Sequence, residues 1–153
     1  MLTSLSLKQQ AYSLCIHLLN EKIQTLQQAL KQLTESAANE TKSTAGDKHE
    51  TALAMLQIEQ ENISRQLKTV LDQKASIETL NISSKHVAVA SGSLVKTNKG
   101  YLFVSVALGK IMVDNIPVIL LSPQSPLGKK LLGLKKNDST EINGMHCNVE
   151  EIE

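Results

Sequence analysis

The chain has 153 residues, 16 of them basic and 15 acidic for a net charge of +1, and its aromatic residues are Tyr12, Tyr101 and Phe103 with no tryptophan. That balance excludes a general nucleic-acid coat, which needs a surplus of lysine and arginine to displace counterions. So few rings exclude stacking platforms for bases and aromatic ligand cages. Arg65 is the single arginine, which rules out a cluster of guanidinium forks on phosphates.

The start, MLTSLSLKQQ, has no basic region followed by a long apolar run, and no apolar stretch is long enough to span a bilayer. A reducing cytoplasm is therefore the expected compartment. From about Ser6 to Leu33 the apolar positions run Leu7, Ala11, Leu14, Leu18, Leu19, Ile23, Leu26, Leu30 and Leu33. Steps of three and four without proline or glycine predict a long helix, and Ser4 or Ser6 can cap it. Its polar side is rich in glutamine and carries Lys8, Glu21, Lys22 and Lys31. A single leucine stripe needs a partner.

The partner is the segment from about Asp47 to Leu80. Its seam reads Leu56, Ile63, Leu67, Val70 and Ile77, with Gln60 and Lys74 where the spacing asks for an apolar residue. This predicts an antiparallel coiled-coil hairpin whose polar interruptions fix register at some loss of stability. Each arm would be on the order of 40 Å long. The stretch between the arms, TESAANETKSTAGDKHET from Thr34 to Thr51, becomes the tip.

Beyond Asn81 to Lys85 the period turns strand-like. Short strands are predicted at His86 to Ala90, Ser93 to Thr97, Tyr101 to Leu108, Lys110 to Val113, Val118 to Leu121, Ser139 to Ile142 and Met145 to Glu150. Turn signals separate them, the strongest being Asn143-Gly144. One helix interrupts the strands in SPLGKKLLGLKKND: Ser125 caps it, Pro126 suits its first turn, and Gly133 stops it. The expected class is α+β: residues 1–82 form the hairpin, with its acidic tip near 40–50, and residues 86–153 a small antiparallel sheet domain with one short helix.

Asp47 and Glu50 are the candidate functional pair. Asp-x-x-Glu before an apolar run is also a capping-box pattern, and a cap at an exposed tip still presents carboxylate oxygens outward. Two carboxylates do not hold magnesium by themselves. Brought to a site that already holds one metal, they complete a second and help position the attacking water. His49 lies between them as a loop or first-turn histidine, with Glu35 and Glu40 adding negative charge and Lys42 and Lys48 near the same end. Cys15 and Cys147 match no metal spacing and read as small buried thiols. No nucleophile elbow, Walker loop, dinucleotide fingerprint or zinc spacing occurs.

With the leucine-spaced hairpin, the tip G-D-K-H-E-T-A from Gly46 to Ala52, and S-P-L-G-K-K-L-L-G from Ser125 to Gly133, the chain resembles bacterial Gre-type transcription factors over nearly its whole length. The resemblance implies a coiled coil followed by a domain similar to FK506-binding proteins. It also implies a monomeric accessory factor, with no cofactor of its own, that binds RNA polymerase at its secondary channel. Asp47 and Glu50 match the family's tip acids and would share the Mg2+ of the polymerase active site, so that the polymerase hydrolyses backtracked RNA near its 3′ end. Ser125 and Pro126 match the docking motif. Gln124 stands where the family often has an acid, Leu53 and Ala54 where it usually has an acid and a tyrosine, and NETKST lengthens the tip. Lys68, Arg65 and Lys48 are the candidates for RNA contact.

Three alternatives stand beside this one, the first a structural coiled-coil adaptor with an unrelated partner, in which the tip acids are caps and nothing more. A channel-binding regulator of the same architecture would occupy the channel without stimulating cleavage. A prolyl isomerase of the FK506-binding type would need an aromatic pocket, for which this half of the chain offers Tyr101 and Phe103, two positions apart on one strand face.

Overall fold

The computed structural model describes residues 6–42 and 47–153, with backbone alone at 40–42 and 47–48. Two long helices, α1 (Leu7–Lys42) and α2 (Asp47–Glu78), precede six strands: β1 (Leu94–Thr97), β2 (Gly100–Val104), β3 (Gly109–Val113), β4 (Ile116–Leu121), β5 (Ser139–Ile142) and β6 (Met145–Ile152). A short helix, α3 (Pro126–Leu131), lies between β4 and β5. The architecture is α+β, as the periodicity predicts.

The chain divides into two compact units. One is His17–Lys74, the body of the two helices; the other joins the chain up to Ile16 with Ala75–Glu153. The expected division at residues 82–86 follows chain order, whereas the units interleave, because the first turns of α1 and the last of α2 belong with the sheet.

In the helical unit, Leu18, Glu21, Lys22, Thr25 and Leu26 of α1 and Gln66, Thr69, Val70 and Gln73 of α2 line one groove of about 670 Å³. Early α1 residues thus face late α2 residues, the antiparallel pairing the leucine stripes require. The α2 seam is regular: Leu53, Leu56, Gln60, Ile63, Leu67, Val70, Lys74 and Ile77 are all buried or half-buried at alternating steps of three and four. Gln60 and Lys74 occupy the seam as the spacing predicts. Gln60→Leu is therefore expected to raise the unfolding midpoint, by about 1 kcal/mol of added apolar burial at a half-buried site, read by far-UV circular dichroism. An unchanged or lower midpoint would remove Gln60 from the seam.

α1 runs on to Lys42, through positions expected to be tip. Thr34 to Lys42 holds no glycine or proline to end the helix, and Ala37, half-buried, continues its apolar stripe. The Asn39 to Lys42 part of NETKST is thus an extra helical turn, and residues 43–46, with Gly46, lie outside the described residues.

In the sheet unit the strand order is β3-β4-β2-β1-β6-β5. All neighbours are antiparallel except β2 and β4, which pair in parallel. The expected wholly antiparallel sheet is corrected there: the β3-β4 hairpin folds back so that β4, not β3, lies against β2. The Asp114-Asn115 and Asn143-Gly144 turns close their hairpins with positive φ at both central residues (48° and 65°; 50° and 79°), as two-residue turns require.

One sheet face carries Val95, Leu102, Val104, Leu121, Cys147 and Val149, packed with Val89 and with Leu131 of α3. Phe103 and Ser105 point to the other face, where Ser105 is hydrogen-bonded to Cys15 of α1. The expected strand at His86 to Ala90 reduces to a single bridge, Ala88 to Lys135. Its competitors are local: Ser93 Oγ accepts from the Ala90 N–H at 2.9 Å and contacts His86 Nδ1 at 2.8 Å, folding the segment into a turn instead of a ladder.

Lys8 also departs from expectation. It is 3% exposed, because positions 8, 11, 15 and 19 form the buried stripe of α1, and its Nζ donates to the Ser84 carbonyl at 3.0 Å. Burial holds its ammonium below its ordinary value of 10.5, with the Glu153 carboxylate working in the opposite direction. A folded value below the unfolded one means the unfolded chain binds more protons just under pH 10.5, so this group adds stability as pH rises through that window. The midpoint of the unchanged chain relative to Lys8→Met is expected to climb there in parallel thermal melts. A flat difference would show that Lys8 titrates as if exposed.

Candidate functional site

Asp47 opens α2, and Glu50 lies three positions on, in the same first turn. Residues so spaced share one face of a helix. A helix N-terminus carries partial positive charge, which favours acids in that turn. The Glu50 side chain is exposed, His49 is half-buried, and Glu35 on α1 is exposed. The side chains of Glu40, Lys42, Asp47 and Lys48 lie outside the described residues.

Leu53, half-buried, belongs to the α2 seam, and Ala54 is exposed beside it. The seam register therefore explains an apolar residue at 53. Arg65 and Lys68 are both exposed on α2 and border a shallow groove with Gln57, Gln60, Glu61 and Ser64. They form a basic pair whose neighbours are mostly amides.

Among the described residues no group of three or more His, Cys, Asp or Glu is placed to hold a metal ion. A closed magnesium site needs more oxygen ligands than one helical turn offers.

Ser125 and Pro126 sit on a tightly bonded turn. Ser125 Oγ donates to the Ser122 carbonyl at 2.7 Å and accepts from the Gly128 N–H at 3.0 Å, the N-cap of α3. The Ser125 N–H also donates to the Ser122 carbonyl, at 3.0 Å, and Ser122 Oγ donates to Gln124 Oε1 at 2.6 Å. Pro126 and Gln124 are exposed on this frame and Ser125 is half-buried. Sequence reasoning found the cap but missed Gly128, which makes the turn geometrically possible. A glycine on the third position after a capping serine was the available signal.

Both cysteines are free and buried. Burial pushes the Cys15 thiol up to about 12, against a hydrogen bond with Ser105 that pulls it down, so it is no nucleophile at neutral pH. Phe103 is fully buried and cannot line a substrate site. Tyr101 borders a depression of about 50 Å³ with Leu7, Leu94, Lys96, Glu151 and Glu153, room for a few waters and not for a prolyl peptide. The prolyl-isomerase alternative lacks its pocket in these two rings. No helix among the described residues is long and apolar enough to cross a membrane.

No protein-family model and no curated protein matches the chain. Among solved structures, that of the transcription factor Gfh1 aligns over 99% of this chain and 99% of its own, at 21% identity and a TM-score of 0.34. A likeness that low adds nothing to the fold described above.

Proposed function

We propose that the chain is a Gre-type factor that binds RNA polymerase through its secondary channel and stimulates cleavage of backtracked RNA by presenting Asp47 and Glu50 to the polymerase's own catalytic centre. The observation that carries this is the placement of an exposed Glu50 three residues after Asp47 in the first turn of the second helix of an antiparallel pair. The tip motif from Gly46 to Ala52 and the Ser125-Pro126 turn support it in the same chain order.

Among the described residues no cluster is placed to hold a metal ion, and the part proposed for the chain is to lend oxygen ligands and negative charge. A magnesium ion shared with the polymerase would polarise the scissile phosphate and lower the pKa of the attacking water. The carboxylates help hold it, the seam sets how far they reach, and the Ser122–Gly128 turn offers Ser125 and Pro126 for docking. The protein acts as an accessory factor in the cytoplasm, as a monomer.

The test is a transcript-cleavage assay on stalled complexes, with polymerase binding measured in parallel. Shortened RNA that appears only with the factor supports the proposal. Binding with inhibition and no shortened RNA would identify a channel-occupying regulator, to which the apolar Leu53 and Ala54 next to the acids lend some weight. Absence of polymerase binding removes both.

A further inference from the structure

The sheet ends in two edges, and they are built differently. At the β5 edge the Asn143-Gly144 turn makes Ile142 and Met145 a hydrogen-bonded pair, so Thr140 and Cys147 form the next one, and Ser139 and Glu141 turn their backbone groups outward. That edge is guarded. Lys130 of α3 donates to the Glu141 carbonyl, and Ser139 and Glu141 are exposed and polar.

The same phase rule applies to β3. The Asp114-Asn115 turn makes Val113 and Ile116 a hydrogen-bonded pair, followed by Ile111 with Val118 and Gly109 with Leu120. Met112 lies opposite Pro117, which has no N–H to give, and this fits a pair without hydrogen bonds. The backbone N–H and C=O of Lys110 and Met112 therefore face outward from the sheet. Among the described residues no side chain is shown bonding to them, in contrast to the β5 edge.

The side chains along this edge are apolar where a guarded edge would be charged. Met112 is 54% exposed and Ile119 41% exposed, and Pro117 is exposed between them. Paired residues share a face, so Met112, Pro117, Ile119 and Lys110 form one surface. It is the face of Leu102, the partner of Ile119 in β2, which further along is covered by α3. The core side of the sheet thus runs out from beneath its helix onto an uncovered strip ending in open backbone and one lysine.

We propose that the β3 edge is a docking strand for an extended segment of a partner protein, which adds to the sheet by hydrogen bonds to Lys110 and Met112. The segment carries an apolar residue that covers Met112, Pro117 and Ile119 and, two positions along the same face, an acid that meets Lys110. Strand addition of this kind takes affinity from the main chain and specificity from alternate side chains. A second copy fits worse. Symmetric pairing of β3 centred on Ile111 sets Lys110 against Met112 and brings no acid, pairing centred on Met112 reaches Asp114 only in the turn beyond the strand, and the acid-bearing β5 edge already has its Glu141 carbonyl taken by Lys130.

The test uses the full chain and a fluorescein-labelled hexapeptide Thr-Val-Thr-Glu-Thr-Thr, whose valine and glutamate lie two positions apart on one strand face, read by anisotropy, with amide exchange followed residue by residue in NMR. The peptide is expected to bind and to slow exchange at Lys110 and Met112. Met112→Pro, which removes an outward N–H and leaves the β3-β4 bonds in place, and Lys110→Glu are each expected to weaken binding about tenfold. Thermal melts confirm that both variants fold. Equal binding of the same peptide with lysine in place of glutamate, protection at other strands, or no binding overturns the proposal. Protection of Lys110 and Met112 that grows with protein concentration in the absence of peptide also overturns it, by making a second copy the occupant.

Discussion

Asp47→Asn and Glu50→Gln are each expected to lower stimulated transcript cleavage by about 100-fold, because an anionic ligand to a metal-bound transition state contributes several kcal/mol and about 3 kcal/mol is about 100-fold in rate. Polymerase binding is expected to change little. The substitutions keep side-chain volume and remove charge, and a hard dication accepts carboxylate oxygen in preference to a neutral amide. Glu50 makes the cleaner of the two tests. Its side chain is exposed, so glutamine there disturbs no packing, whereas Asp47 also opens α2, where a carboxylate stabilises the helix by about 1 kcal/mol. Asparagine matches aspartate in size, so the Asp47 variant loses the charge with little change in volume. Glu35→Gln on exposed α1 serves as the control and is expected to leave cleavage unaltered. Loss of binding in both acid variants would make the pair structural, and unchanged cleavage would take it out of the chemistry.

Much of this was legible in the residues, for reasons that can be named. Leucine steps of three and four gave both long helices, and the α2 seam held even at Gln60 and Lys74, because register in a two-helix pair is set by the whole stripe and one polar residue does not break it. Ser125, Pro126 and Gly133 bounded α3 by local chemistry, which needs no tertiary knowledge. What escaped was tertiary. Lys8 looked like a solvated helix lysine until the Ser84 carbonyl supplied a buried acceptor. His86 to Ala90 had the alternation of a strand, but Ser93 captured the Ala90 N–H and left one bridge to Lys135. The parallel pairing of β2 with β4 depends on how the intervening hairpin folds back, which no local period records. The candidate acids were found by motif and spacing, whereas the Ser122–Gly128 frame behind Ser125 became visible only with coordinates.

That frame supports the second large effect. Gly128→Ala is expected to destabilise the sheet unit by about 3 kcal/mol, at the upper end for overpacking of a tight site. A Cβ at Gly128 would run into the Ser122 carbonyl oxygen and would lie 2.9 Å from Ser125 Oγ and 3.0 Å from the Pro123 Cα. The first and last of these are backbone atoms and cannot swing aside. The Ser122 carbonyl is moreover the acceptor for both the Ser125 N–H and Ser125 Oγ, so moving it loosens the cap that starts α3 and lets Leu131 shift in the core. Gly133→Ala is the informative contrast. Its φ is +86° and nothing lies within 4 Å of an added Cβ, so its cost is conformational alone, about 1 kcal/mol. Chemical denaturation of the two variants separates a steric glycine from a conformational one. If Gly128→Ala proves no costlier than Gly133→Ala, the turn is loose enough to yield, and a rigid presentation of Ser125 and Pro126 loses its basis.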